Sequence, residues 1–274
     1  MQCSLRVSHT NQLHTQRNRG ELHKGSPFLS RKETITMRLE NLYPDILDEE
    51  KKKNTPLFIP VGVIEYHSAH LPLGTDTQTP YHLLERLEAE RDIIIAPPVW
   101  YGCASYAVKG PEGYSIDMDG TVLGSMMYNI YMSLLKSGFR RIITVLYHQT
   151  EDYNPTETAC LDASRRVIFK YLEDNRGIGW WGDNGMHEKY EAEDNANDPW
   201  NWIRVMPLMP RDFEADHAGY QETSLLWALR PDLVRSEKIG TSDDWFAETA
   251  KDASREAGEA MARELLDYWH GILK

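Results

Sequence analysis

The chain has 274 residues, a net charge of −12 and 41% hydrophobic residues, which is enough apolar material for one large core. The acidic balance argues against nucleic acid and anionic membranes as partners, since both attract basic patches. No apolar run approaches the ~20 residues of a membrane helix. The three cysteines, Cys3, Cys103 and Cys160, imply no disulfide framework, so we expect a cytoplasmic protein.

The first 36 residues differ in composition from the rest of the chain. They are polar and basic, and they lack the hydrophobic stretch of a secretory signal. We expect a disordered arm or a translated upstream segment, with Met37 as a candidate start. A transit peptide and an ordered arm packed on a neighbouring subunit are the alternatives. Residues 37–274 are then predicted to form a single domain.

Apolar, β-branched runs alternate with helical patterns along the remainder of the chain. Strands are predicted over residues 57–63, 92–99, 141–147 and 178–181, and helices over 80–91, 121–137, 155–173, 222–229 and 243–272. Gly138 is predicted to end the second helix as its C-cap. Strands that alternate with helices favour a mostly parallel sheet covered on both faces, a three-layer α/β/α sandwich.

Four ionisable residues follow the first predicted strand within twelve positions: Glu65, His67, His70 and Asp76. Prolines and glycines among them predict a loop at the carboxyl end of the strand, where open α/β sheets bind ligands. Glu65 and His67 point the same way if the chain is extended there. These residue types suit a divalent metal that activates water, although ordinary polar loops have a similar composition.

Two later segments also carry ionisable residues at element ends. His148 directly follows the strand predicted over residues 141–147. His217 precedes the last but one predicted helix, and Glu222 stands at its start. The sequence therefore repeats one arrangement, ionisable residues gathered at element ends, which strengthens the prediction of a metal site.

Together these motifs resemble those of the creatininase (creatinine amidohydrolase) family. The resemblance rests on Glu-x-His at residues 65–67, on Asp76, on the strand-end His148 and on His-Ala-Gly-x-x-Glu-Thr-Ser at residues 217–224, and it spans about residues 56–234. It implies a creatininase-like α/β/α fold and a binuclear metal-dependent hydrolase. A metal-bridging water would attack a carbonyl of a small, cyclic substrate, most often at a C–N bond.

The resemblance also implies the role of each ligand. Two divalent ions per chain are expected, zinc or manganese, with iron also compatible with these ligand types. Asp76 would bridge the two ions. Glu65 and His148 would complete one site, and His67 and Glu222 would complete the other.

Catalysis and assembly are implied in the same way. His217 and Glu222 are the implied catalytic residues, with His217 as the proton shuttle that serves the leaving group. Family members are commonly hexamers built from dimers, so a homo-oligomer is expected. A small-molecule substrate is the expected partner.

The chain departs from the usual family pattern inside these motifs. Tyr66 stands where glutamine is usual, and the acid after His148 is Glu151, three positions on rather than two. The substrate therefore need not be creatinine. Residues 180–213 are rich in tryptophan and are predicted to form a lid or an interface insertion, or else a long loop anchored on the body. The candidate substrate-binding residues are Tyr66, His70, Glu151, Trp180, Trp181 and Trp202.

Two other functions stay open at this level. A ring-opening C–C hydrolase of a cyclic diketo-polyol, in sugar or inositol breakdown, would use the same kind of metal-activated water. Amide hydrolysis can release ammonia or an amine, whereas ring-ketone cleavage cannot. A non-catalytic ligand-binding protein is expected to lack a metal ligand, and here all five ligand positions are filled.

Overall fold

Two apolar runs form the centre of a parallel sheet in the computed structural model, which describes residues 36–148, 153–182 and 198–274. The central strands are β1 (Leu57–Val61) and β3 (Ile142–Leu146). The edge strands are β2 (Ile94–Ile95) beside β1 and β4 (Ile203–Pro207) beside β3. All three pairings are parallel, in the order β2-β1-β3-β4. The arm predicted over residues 1–36 lies outside the described residues except for Thr36.

Helices cover both faces of this sheet. Leu57 and Ile59 of β1 pack against the helices α3 (Gly120–Lys136) and α4 (Pro155–Arg176), while Phe58 between them points to the opposite face. The helices on that opposite face are α2 (Thr75–Glu88), α5 (Tyr220–Leu229) and α6 (Arg255–Ile272). Because side chains alternate along a strand, one apolar run contributes to the apolar cores on both faces of the sheet. The three-layer α/β/α sandwich with a parallel sheet is confirmed.

Short helical segments complete the described chain. The remaining α-helix is α1 (Pro44–Lys52), and the 3-10 helices span Leu39–Asn41, Pro199–Asn201, Ser236–Lys238 and Trp245–Asp252. The helix predicted over residues 243–272 is therefore broken. Ser254 stands at the break, where its side chain accepts a hydrogen bond from the N–H of Ala257 and caps α6. Within the described ranges, no helix is long and apolar enough to cross a membrane.

The segment predicted as a lid or interface insertion contains β4, an edge strand of the sheet. β4 lies within residues 180–213 and pairs with β3 over its whole length. Trp202, just before β4, is 4% exposed and packs near the Tyr171 ring and the Arg140 guanidinium. β4 was not predicted because it has only five residues and the sequence around it is polar and contains prolines. Residues 183–197 lie outside the described residues.

Two of the predicted strands are absent or much shorter in the structure. The strand predicted over residues 178–181 is a turn, because Gly177 and Gly179 adopt φ of +82° and +81°, which ends extended structure. The strand predicted over residues 92–99 shortens to Ile94–Ile95, because Pro97 and Pro98 bring no N–H to a ladder.

Helix α2 begins at Thr75, upstream of its predicted start at Pro80. A proline usually marks the first turn of a helix, and here it lies further inside. The first turn of α2 packs directly on Gly62, where an added Cβ would lie 2.5 Å from the Asp76 carbonyl oxygen and from the Thr77 nitrogen. This contact places Asp76 in the first turn of a helix rather than in a loop.

Candidate metal centre

Four elements supply the ionisable groups of the candidate site. Glu65 and His67 follow β1, Asp76 lies in the first turn of α2, and His148 follows β3. Glu222 lies in the first turn of α5. The carboxyl ends of β1 and β3 are adjacent in the sheet, so groups 157 positions apart in the sequence converge at one place.

One group of donor atoms gathers around His148. Its Nδ1 lies 3.0 Å from Glu65 Oε1 and 3.0 Å from Asp76 Oδ2. Metal–ligand bonds of about 2.0–2.2 Å hold neighbouring donor atoms about 3 Å apart, so the spacing suits a divalent ion. Glu65, Asp76 and His148 thus form a group that can hold a metal.

A second group of donor atoms gathers around His67, which is fully buried. Its Nε2 lies 2.9 Å from Asp76 Oδ1 and 3.5 Å from Glu222 Oε2. Its Nδ1 lies 3.0 Å from the carbonyl oxygen of Glu65, which fixes the proton on Nδ1 and leaves Nε2 with its lone pair when the ring is neutral. The two oxygens of Asp76 therefore face two different donor groups.

His217 stacks on His67, with ring centroids 4.4 Å apart. Its Nδ1 lies 3.7 Å from Glu65 Oε1, and Glu65, His67 and His217 make a third group that can hold a metal. The Nε2–H of His217 donates to the carbonyl oxygen of Tyr66 at 2.8 Å. This bond orients the ring so that Nδ1 faces the carboxylates.

The charges in the site shift each other's pKa strongly. Burial disfavours the imidazolium of His67, but Glu222, Asp76 and Glu65 overcome it and raise the His67 pKa to about 10. His148 is also buried, and Asp76 and Glu65 raise its pKa to about 10. Burial opposes ionisation of Asp76, but the two histidines hold its pKa below the ordinary value.

Glu222 behaves in the opposite way. Burial raises its pKa to about 8 despite the attraction of His67. Its Oε2 accepts a hydrogen bond from the N–H of Ala218 at 2.6 Å, and its own N–H donates to Asp216 Oδ1 at 3.1 Å. These bonds hold the Glu222 carboxyl group in one position, next to His67.

The residues fit a metal on chemical grounds. Three buried carboxyl groups, those of Glu65, Asp76 and Glu222, meet here, and their described ion-pair partners are histidines rather than lysine or arginine. Burying several carboxylates together is costly unless cations compensate them. His148 Nε2 is also buried and has no hydrogen-bond partner among the described residues. A divalent cation would compensate this charge and displace the histidine protons.

A cavity of about 270 Å³ opens onto these groups. Its lining combines Glu65, Asp76, His148, His217 and Glu222 with apolar residues from the end of β3 and from the segment after β4. The rest of the lining includes polar residues. Arg211 Nη2 donates to Glu157 Oε1 at 3.1 Å, and both residues line the cavity. The volume suits a small substrate.

The other candidate substrate-binding residues lie away from the described cavity lining. The hydroxyl of Tyr66 donates to Asp244, and His70 Nε2 lies 2.8 Å from Thr223 Oγ1 with the ring buried. Trp180 and Trp181 pack together, with centroids 5.9 Å apart. They also contact Trp200 on the outer side of α4, and Trp202 lies in the core. Glu151 lies outside the described residues.

Sequence reasoning missed Glu157, Arg211, Asp216 and Asp244. Glu157 lies in the first turn of α4, after the N-cap Asn154. A helix that starts soon after the end of a strand could have indicated this residue as part of the site. Arg211 and Asp216 lie after a strand that was itself missed. Asp244 lies outside every motif, and only the folded chain brings it to Tyr66.

Comparison with known proteins places this geometry in a family. The family model described as "Creatininase: Creatinine amidohydrolase" matches residues 41–272. The chain belongs to the creatininase family. As a creatininase-family member it is a hydrolase, and its described residues include groups that can hold a metal.

Two characterised relatives of this creatininase-family chain differ in their named activity. A "Creatinine amidohydrolase" of Pseudomonas putida is 25% identical over 191 residues, which cover 67% of each chain. A "Mycofactocin precursor peptide peptidase" of Mycolicibacterium smegmatis is 25% identical over 189 residues, covering 67% of this chain and 61% of that protein. The chain thus spans less than two thirds of the peptidase.

Solved creatininase structures share the fold. A "Crystal structure of creatinine amidohydrolase (creatininase)" matches with a TM-score of 0.64 at 20% identity, covering 85% of this chain and 94% of that one. Three further structures match at 18–19% identity with TM-scores of 0.63 or 0.64, covering 85% of this chain and 95% of theirs. One is named for manganese, one is a mutant of "Zn-Zn type" and one is a mutant complexed with creatine.

Proposed function

We propose that this chain is an amidohydrolase that holds two divalent cations and hydrolyses a C–N bond of a small, cyclic amide. The observation that carries the proposal is the position of Asp76. Its Oδ1 and Oδ2 lie 2.9 Å and 3.0 Å from nitrogens of two different histidines, each of which has a further carboxylate beside it. A single carboxylate between two donor groups is suited to bridging two cations.

Two sites of the same donor chemistry follow from this arrangement. Glu65, Asp76 and His148 would hold one cation, and His67, Asp76 and Glu222 would hold the other. Zinc or manganese fits these nitrogen and oxygen ligands, and matched creatininase structures are named for both metals. When bound, such a pair lowers the pKa of water and polarises a carbonyl group.

His217 is the proposed proton-transfer residue. Burial and the neighbouring charge of His67 lower its pKa, which favours the neutral ring. With the Nε2 proton donated to the Tyr66 carbonyl, Nδ1 is the atom that can accept a proton from water. The same Nδ1 can then return that proton to the nitrogen of the breaking C–N bond, which needs one to become a neutral amine in the ring-opened product.

The cavity limits the choice of substrate. Its volume of about 270 Å³ and its apolar walls around a polar end suit a small molecule rather than a folded protein. A matched mutant creatininase is complexed with creatine, which is a molecule of this size class. Creatinine, which the relative named creatinine amidohydrolase is named for, is a cyclic amide, and this supports cyclic amides as the substrate class.

The first test is the metal content of the full chain, purified without chelator and without a histidine tag. We expect close to two ions per chain by elemental analysis. A content near zero that persists after incubation with zinc or manganese would contradict the proposal and favour a non-catalytic binding protein.

The second test follows product formation with the metal-loaded protein. Cyclic amides and cyclic ketones are supplied in parallel, and the ring-opened products are identified by NMR and mass spectrometry. An amide product that carries both the new carboxylate and the nitrogen freed from it supports the proposal. A ketone opened to a carboxylate and a new C–H bond would point to C–C hydrolysis instead.

A linear peptide is the second candidate substrate. It is favoured by the relative named as a peptide peptidase, because a peptide bond is the same C–N bond without the ring. Short peptides and cyclic amides should therefore be compared by kcat/KM in one assay. A peptide that exceeds every cyclic amide by more than tenfold would shift the assignment to a peptidase.

A further inference from the structure

A residue outside the metal groups holds the loop that carries them. Asp244, from the segment just before the 3-10 helix Trp245–Asp252, accepts a hydrogen bond from the Tyr66 hydroxyl at 2.8 Å. The same oxygen, Oδ2, accepts from Ser68 Oγ at 2.8 Å. Ser68 Oγ also lies 2.7 Å from Ser242 Oγ. Asp244 thus contacts the residues on both sides of His67.

This part of the loop needs such support because its backbone is unusual. Ser68 adopts φ of +61°, a left-handed conformation that non-glycine residues rarely keep without surrounding contacts. Tyr66 is held at three points. Its N–H donates to Ser115 Oγ at 3.2 Å, its hydroxyl donates to Asp244, and its carbonyl accepts from His217. The position of the Tyr66 carbonyl is therefore fixed from two other segments.

The Tyr66 carbonyl in turn decides where His217 carries its proton. A carbonyl oxygen can only accept, so the 2.8 Å contact requires the proton on Nε2 of His217. Nδ1 then keeps its lone pair toward Glu65, 3.7 Å away. If the carbonyl moved, the ring would lose the bond that selects this tautomer. The Phe246 ring, whose centroid lies 5.0 Å from that of His217, limits the position of the His217 ring but does not select a tautomer.

We propose that Asp244 is a positioning residue that holds the Tyr66 carbonyl and thereby fixes the ring orientation and the tautomer of His217. It touches neither the cavity lining nor the candidate metal ligands among the described contacts, and it acts through Tyr66. The inference rests on the proposed function, in which Nδ1 of His217 moves the proton.

The test is nitrogen NMR of the full-length protein, labelled with ¹⁵N-histidine and loaded with zinc. His217→Asn identifies the His217 resonances. In the wild type we expect one neutral tautomer, protonated on Nε2, with slow exchange of that proton. Asp244→Ala removes both hydrogen bonds and should give a mixture of tautomers and at least tenfold faster exchange. Asp243→Ala, the exposed neighbouring acid, is the matched control and should match the wild type.

Tyr66→Phe keeps the aromatic packing and removes only the bond to Asp244, so it should give an intermediate exchange rate. It also decides the question if Asp244→Ala does not fold. The proposal would be overturned if both variants fold and keep the wild-type tautomer and exchange rate of His217. It would also be overturned if Asp244→Ala does not fold and Tyr66→Phe shows no effect. Zinc content near that of the wild type shows that the effect does not come from metal loss.

Kinetics separate this inference from the proposed function. With an amide substrate, Asp244→Ala should lower kcat about tenfold and leave KM within twofold, because misplacing a proton-transfer group affects chemistry more than binding. A wild type that hydrolyses no amide would contradict the proposed function, while the NMR result would still decide the positioning role. A rise in KM with unchanged kcat and tautomer would overturn the positioning role.

Discussion

At the scale of single residues, the site depends on a few side chains that each make two contacts. Asp76 is the clearest, since each of its oxygens faces a different histidine. His217 is similar, with one nitrogen on a carbonyl and the other toward Glu65. Side chains with two partners cannot be replaced by residues that keep only one.

Asp76→Asn tests this dependence. An asparagine has one acceptor oxygen and no charge, so we expect metal content to fall from about two ions to less than one per chain. Hydrolysis should fall at least a hundredfold, as expected when a ligand shared by both ions is lost. Elemental analysis and turnover measure both effects. Asp162→Asn, an exposed acid on α4, is the control, and a full metal complement in Asp76→Asn would contradict the bridging role.

His70 leads to a prediction about pH. Burial and the charge of His67 lower its pKa to about 4, and it bonds to Thr223. Between about pH 6.5 and pH 4 the unfolded chain therefore binds a proton at this residue that the folded chain does not. The stabilising contribution is complete above pH 6.5 and is lost as the pH falls toward 4.

His70→Gln cannot titrate in this range. In urea unfolding of the metal-free protein, its free energy of unfolding should decline less steeply than that of the wild type between pH 6.5 and pH 4. Parallel curves for His70→Gln and the wild type would mean that His70 titrates normally in the folded chain.

At the scale of elements, the site depends on how closely α2 approaches β1. The helix begins at Thr75 and not at Pro80, since the bare backbone of Gly62 leaves room for its first turn. A Cβ at Gly62 would meet the backbone of Asp76 and Thr77, which cannot yield as a flexible side chain could. The packing of two elements therefore sets the position of the candidate bridging carboxylate.

Gly62→Ala should displace this turn. We expect a loss of about 1–3 kcal/mol in the free energy of unfolding, typical of overpacking, together with weaker metal binding. Denaturant unfolding and zinc titration give the two quantities. Gly271→Ala near the end of α6, where an added Cβ meets nothing within 4 Å, should leave both unchanged or slightly raise stability. Wild-type zinc affinity in Gly62→Ala would show that the turn can move without harm.

At the scale of the whole molecule, the candidate metal groups join elements that are distant in the sequence. Their ligands come from the ends of β1 and β3 and from the first turns of α2 and α5. Cations that bind only the folded chain stabilise it by mass action, in proportion to the logarithm of their excess over the dissociation constant. The predicted homo-oligomer remains a prediction, which sedimentation can test.

Metal removal should therefore lower the melting temperature. At about a thousandfold excess of zinc over the dissociation constant of each site, each of the two sites adds about 4 kcal/mol, or about 8 kcal/mol together. For a chain of this size we expect a fall of about 20 °C when EDTA replaces zinc in calorimetry. Asp76→Asn should show a much smaller fall. Equal falls in the wild type and this variant would mean that EDTA acts elsewhere.

The amino-acid sequence by itself determined the fold class and the short motifs. β-Branched runs and helical patterns are local, so the alternation around β1 and β3 was readable, and Glu65, His67, Asp76, His148, His217 and Glu222 stand next to those elements. These residues are expected to gather in one place because the carboxyl ends of parallel strands lie at the same edge of a sheet.

Tertiary structure alone decided what depends on contacts between distant segments. β4 is five residues long in a polar surrounding, and it becomes a strand because β3 offers an unpaired edge. Pro80 lies inside α2 because Gly62, which has no side chain, leaves room for the first turn of this helix. Tyr66 faces Asp244 across 178 positions, and Trp202 is buried under Arg140. Such contacts leave no local pattern, since each residue's role is set by a partner that only the folded chain brings near.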